Sequence, residues 1–160
     1  AKQRLASFAP IPLRSQIVRC NGLTILNDCY NANPLSFARA LETLRDLSAR
    51  RKVAIVGDML ELGTFAPAAH QAIGRLATQL GIDAVIAVGD YADYVAQGVR
   101  EGRPETIPTY RTVPELLRQL PAMLQEGDGL LVKGSRKLNL EQVTEFLLQH
   151  YRGVHGQLSR

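Results

Sequence analysis

Two cysteines, Cys20 and Cys29, in a chain of 160 residues are too few for a disulfide framework or a zinc site. Both are expected to be reduced thiols, in keeping with a cytoplasmic location. No apolar run approaches the ~20 residues that cross a bilayer, so no membrane span is expected. The opening AKQRLASFAPIPLR lacks the hydrophobic region of a signal peptide. Lysines and arginines form no stripe. Their one tight cluster, Arg50-Arg51-Lys52, falls where a helix should end and where cations meet the negative end of the helix dipole. The net charge of +4 therefore gives no ground for expecting nucleic acid as a partner. No His/Cys/carboxylate set has metal-ligand spacing, so no metal ligands are assigned. The most restrictive absence is of phosphate loops. The chain has neither G-x-x-x-x-G-K-[ST] nor G-x-G-x-x-G, which argues against a self-sufficient NTPase or dehydrogenase.

What is present reads as one globular domain, 46% hydrophobic and 21% charged. Residues 1–13 form an irregular, proline-containing lead-in. Ser15–Arg19 and Leu23–Leu26 flank Asn21-Gly22, a strong hairpin signal. Asn33 and Pro34 suit the N-cap and first position of a helix reaching about Arg50, with Phe37, Ala40, Leu41, Leu44 and Leu47 at helical spacing. Strands are then expected at 53–56, 84–88, 106–110 and 129–132. Helices are expected at 67–80, 91–100, 113–124 and 140–150, the last started by an Asn139/Gln142 capping pattern. Such alternation predicts the α/β class, with an open, mostly parallel sheet flanked by helices and an antiparallel hairpin at its start. The domain is expected over 14–150, with 151–160 a flexible tail.

Ligands of open parallel sheets bind beyond the carboxyl ends of the strands. Three loops there carry chemistry. In NDCYNANP, Asp28 can accept ribose hydroxyls, Tyr30 offers a flat face, and Asn31 and Asn33 flank a helix N-terminus that favours phosphate. Alternatively, Asp28 and Asn33 merely cap and turn the chain. In GDMLELG, Asp58 and Glu61 suit an ammonium group, or are solvated acids between turn glycines. In KGSRK, Lys133, Ser135 and Arg136 suit a carboxylate or phosphate, or form a solvated basic loop. His70, amid alanines in a helix, reads as a packing or surface residue.

DCYNANPLSFARAL, VAIVGDMLELG, AAHQAIGRLA, GIDAVIAVG and LLVKGSRKLNLEQV, in that order over residues 14–148, resemble the carboxy-terminal domain of the Mur ligase family. The YNANP and GDMLELG segments point to the branch that adds D-alanyl-D-alanine to UDP-MurNAc-tripeptide. The resemblance implies a Rossmann-like third domain, with the preceding two supplying the UDP-sugar peptide site, the phosphate loop and most Mg2+ ligands. It implies ATP as cofactor and no catalytic residue confined to this domain, which would be inactive alone. The implied reaction phosphorylates the tripeptide carboxylate to an acyl phosphate, which the dipeptide amine attacks, in bacterial peptidoglycan synthesis, on which cell shape and division depend. By the same resemblance Asp28, Tyr30, Asn31, Asn33 and the hinge residue Arg14 face ATP. Asp58, Glu61, Lys133, Ser135 and Arg136 meet the amine substrate. Asn27-Asp28-Cys29 departs from the family's acidic pair followed by serine. Two alternatives remain: a free-standing nucleotide- or partner-binding module, and an amino-acid or folate ligase of the same superfamily.

Overall fold

The computed structural model describes the backbone of residues 15–158 and the side chains of residues 15–151. Arg14, the lead-in over 1–13 and the side chains of 152–160 lie outside the described residues. The expected hairpin forms from Gln16–Cys20 (β1) and Leu23–Asp28 (β2). Asn21 and Gly22 turn it with φ of +46° and +79°, the twist that suits a two-residue hairpin loop. Then follow α1 (Pro34–Asp46), β3 (Arg51–Val56), α2 (Ala66–Gln79), β4 (Ala84–Val88), α3 (Ala92–Gly102), β5 (Thr109–Tyr110), α4 (Val113–Met123), β6 (Asp128–Lys133) and α5 (Glu141–Leu158).

These strands form a sheet of order β1-β2-β6-β3-β4-β5, parallel except for β1. The steps β2 to β3, β3 to β4 and β4 to β5 all advance across the sheet in one direction. Right-handed crossovers therefore place α1, α2 and α3 on one face, and the return step to β6 places α4 on the other. Successive strand residues point to opposite faces. Leu26, Ala54, Val56 and Leu131 join Phe37, Leu41, Ile73 and Val95 in one core. Val53, Ile55, Leu130 and Val132 join Leu116, Leu120, Val143 and Leu147 in the other. Insertion of β6 between β2 and β3 brings the first and last loop motifs side by side.

Several local expectations change. Helix α1 stops at Asp46, and Arg51 and Lys52 instead open β3. Arg51 makes a two-pronged ion pair with its register neighbour Asp128 (Nη2 to Oδ2, 2.7 Å) and donates to the carbonyl of Met123 at the end of α4. Lys52 reaches the Arg45 carbonyl at the end of α1. These cations do meet helix carboxyl ends, but from a strand. The expected strand at 106–110 shrinks to two residues, Thr109–Tyr110. Asn139 does not cap α5. At φ +53° it closes a short 3-10 turn over Arg136–Leu138, and its side chain accepts from Arg136. Helix α5 continues to Leu158, past the expected end at His150 and into the segment expected to be a tail.

Helices α2 and α3 pack backbone to backbone. A Cβ on Gly98 would lie 1.9 Å from the Gln71 carbonyl oxygen, an impossible approach. Alanine is a better helix former than glycine by about 1 kcal/mol, yet overpacking should outweigh that gain. Gly98→Ala is expected to destabilise the domain by about 2 kcal/mol net, seen as a Tm lower by roughly 6 °C.

Candidate functional site

The register of β2 against β6 sets Asp28 beside Lys133 on the α1 face of the sheet. Lys133 is 1% exposed, and its ammonium donates to Asp28 Oδ2 at 2.8 Å and to the Asn31 carbonyl at 3.1 Å. It also lies 5.6 Å from the centre of the Phe37 ring, whose face favours a cation. Asn33 caps α1: its side-chain oxygen accepts the Ser36 N–H at 2.8 Å, and Ser36 Oγ accepts the Asn33 N–H at 3.0 Å. The Asn31 side chain accepts the Ala32 N–H at 2.9 Å. The capping and turning reading of these asparagines therefore holds.

Around them opens a cleft of about 450 Å³ that Asp28, Tyr30, Asn31, Asn33 and Lys133 help to line. Ser36, Arg39 and Thr43 complete its α1 wall and were not singled out in the sequence. Their signal was a polar stripe at i, i+3 and i+7 beside the apolar face of the same helix. A carboxylate, hydroxyls, a guanidinium and a helix N-terminus suit a ligand that carries both hydroxyls and negative charge. Among the described residues no three His, Cys, Asp or Glu side chains cluster.

The second pair of loops also meets. Gly57 N–H donates to the Lys133 carbonyl at 2.8 Å, and Ser135 N–H to the Asp58 carbonyl at 2.8 Å, which extends the β3/β6 ladder beyond the strands. Within these loops the named residues occupy different surroundings. Lys133 belongs to the first cleft, buried with Asp28. Asp58 is 5% exposed, and its carboxylate accepts the N–H groups of Asp90 and Tyr91 at 2.9 and 3.0 Å. Gly89 at φ +120° makes that approach possible, because a Cβ there would lie 2.4 Å from the same carboxylate. Asp58 therefore ties the loops after β3 and β4 together. Glu61 is exposed, with φ +64°. Ser135 is nearly buried, and Arg136 is exposed in an ion pair with Glu141 at 2.6 Å.

His70, wholly buried on α2, accepts the Met59 N–H through Nε2 at 2.8 Å and pairs through Nδ1 with the Ala66 carbonyl at 2.6 Å. On the other face of the sheet, Asn27 Oδ1 accepts from the Cys29 thiol at 2.8 Å and the Thr144 hydroxyl at 3.2 Å. The departure at position 27 thus lies away from the cleft, where a second carboxylate would meet no ligand.

Comparison with known proteins agrees with this geometry. The family model described as Mur ligase, glutamate ligase domain, matches residues 13–136. The chain belongs to the Mur ligase family. A UDP-N-acetylmuramoyl-tripeptide--D-alanyl-D-alanine ligase from Treponema pallidum is 40% identical over 135 residues, 84% of this chain and 29% of that protein. The crystal structure of MurF from Acinetobacter baumannii superposes with a TM-score of 0.80 at 25% identity, covering 92% of this chain and 33% of that one. MurF from Thermotoga maritima, solved in complex with ADP, gives a TM-score of 0.77 at 26% identity, covering 93% of this chain and 33% of that one. The chain spans about a third of the length of these relatives.

Two outcomes follow for this Mur ligase domain. Removing one partner of a buried ion pair strands the other charge, so Asp28→Leu or Lys133→Met should each cost about 3 kcal/mol in urea unfolding. The double variant should cost less than the sum of the two. The second concerns His70, whose burial pushes its imidazole below the usual value, partly offset by the bond to Ala66 and the Asp58 carboxylate. The unfolded chain gains a proton as pH falls through about 6.5, whereas the folded chain resists until a lower pH. Stability is thus fully present above that value and declines on acidification. The urea midpoint of His70→Gln should fall less steeply between about pH 7.5 and 5.5.

Proposed function

We propose that the chain is the carboxy-terminal domain of an ATP-dependent ligase that joins D-alanyl-D-alanine to UDP-MurNAc-tripeptide in cytoplasmic peptidoglycan precursor synthesis. The observation that carries this reading is the cleft around the Asp28–Lys133 pair. It suits a nucleotide, yet the sequence has no phosphate loop, and the chain spans about a third of relatives that bear this ligase name. The complementary loop and the metal ligands then belong to the other domains of the same polypeptide.

In this reading Asp28 accepts hydroxyl hydrogen bonds from the ribose, and the buried Lys133, 2.8 Å away, holds that carboxylate in place. Tyr30 lies against the base or sugar, while Arg39, Ser36 and the start of α1 face the phosphates. Arg14, by the family resemblance, approaches the nucleotide from the hinge. ATP supplies the chemistry that converts a carboxylate into an acyl group with a good leaving group. This domain's residues bind, orient and exclude water, which is where most of the rate enhancement of such a step resides. At the GDMLELG and KGSRK loops, Glu61 holds the dipeptide ammonium and Ser135 and Arg136 its carboxylate.

The test is steady-state phosphate release by the full-length ligase. Asp28→Asn and Arg39→Ala should each raise the KM for ATP about tenfold, equivalent to ~1.4 kcal/mol, and leave the KM for D-alanyl-D-alanine within twofold. Unchanged ATP kinetics in both variants would sink the assignment of the cleft. The isolated 160-residue chain should bind ATP only weakly, because most triphosphate contacts lie elsewhere. A sub-micromolar Kd measured on it by calorimetry would contradict the division of labour.

A further inference from the structure

The loops after β3 and β4 meet at a buried side chain, His70, that the proposed reaction leaves idle. The Met59 N–H can only donate, so His70 Nε2 is the acceptor and the proton sits on Nδ1, which donates to Ala66. The same ring stacks on Tyr91, centroid to centroid 4.5 Å at 18°. Tyr91 in turn gives its N–H to the Asp58 carboxylate, and the Asp58 carbonyl accepts from Ser135. Through one imidazole α2 is fastened to the loops after β3 and β4, and the Asp58 carbonyl joins the loop after β6 to them.

The segment fastened most directly is the one that carries Glu61. Met59, held by His70, is fully buried. Two residues later Glu61 is exposed and left-handed at φ +64°. A non-glycine residue in that conformation costs about 1–2 kcal/mol, and it persists only where its surroundings dictate the path of the chain. The Met59 amide is the buried anchor immediately before it. An unstrained loop would serve if Glu61 were merely a solvated acid. A fixed anchor followed by a strained, outward carboxylate fits a group that must be presented in one direction.

We propose that His70 is a positioning residue for the amine substrate, acting through the Met59 amide to set where Glu61 points. This rests on the reading of GDMLELG as the amine-substrate end. A misplacement of roughly 1 Å at a reacting partner can cost on the order of a hundredfold in rate, so the anchor matters although it touches no substrate.

Three variants of the full-length ligase test it. His70→Phe keeps the stack on Tyr91 and removes the acceptor. His70→Asn keeps a donor for Ala66 but is too short to reach Met59, and covers the case in which the phenylalanine variant fails to fold. His70→Gln supplies a new acceptor near the Nε2 position. The first two should raise the KM for D-alanyl-D-alanine about tenfold, leave that for ATP within twofold and speed amide exchange at Met59 and Glu61. The glutamine variant should recover most of the loss. An equal rise in both KM values, or no rise in either with faster exchange at Met59, overturns the proposal. Glu61→Gln separates the two levels of inference. If it leaves the dipeptide KM unchanged, the fault lies in the reading of the loop as the amine site. If it raises that KM and the His70 variants do not, His70 has no positioning role.

Discussion

Lys133 carries a charge at 1% exposure, and an ammonium withdrawn from water must be compensated where it sits. Its compensation comes from Asp28, from the Asn31 carbonyl and from the face of Phe37, all supplied by the segment running from the end of β2 into α1. This arrangement exists only because β6 lies between β2 and β3 in parallel register. A slip of one residue would turn the lysine into the opposite core, against Leu116 and Val143. The ion pair and the sheet order therefore specify one another. The cleft inherits its shape from both, since the same contacts fix the turn that leads into the capped start of α1.

The domain divides its polar groups between two duties. Some are consumed in holding loops: Asp58, His70 and the side-chain oxygens of Asn31 and Asn33 all have short internal partners. Others stand at the surface of the same loops, notably Arg39, Glu61 and the exposed ring of Tyr30. Interleaving the two kinds gives a rigid carboxyl edge on a sheet whose loops would otherwise be mobile. If, as proposed, the domain contributes only part of a site, such prior arrangement is what its groups require.

Features set by neighbours in the chain were legible in the sequence. Asn21-Gly22 made its turn, and Asn33-Pro34 began its helix, since both depend on local backbone preferences. The strand-helix alternation gave the class, and the loops at strand ends gave the region of the cleft. The pairing of Lys133 with Asp28 was not legible because it depends on strand order, which no local pattern encodes. His70 looked inert for the same reason, as Met59 and Tyr91 reach it only in the folded sheet. Asn139 misled because asparagine suits a left-handed turn as well as an N-cap, and here the turn wins. The cations at 51–52 followed the dipole argument in kind but not in place.

On the proposed reading, in which the reaction passes through an activated carboxyl group, the Asn27–Cys29 contact has a chemical consequence. A thiolate near such a group competes with the intended amine and diverts it to a thioester. Cys29 sits one residue from Asp28, yet burial, reinforced by the Glu141 and Asp28 carboxylates, pushes its thiol up to about 12. Its proton is directed at Asn27 Oδ1, on the face of the sheet away from the cleft. A sulfur one residue along the chain from the cleft's carboxylate is thereby kept protonated and turned away from the cleft, and a neutral asparagine beside it does so without adding another negative charge to the core.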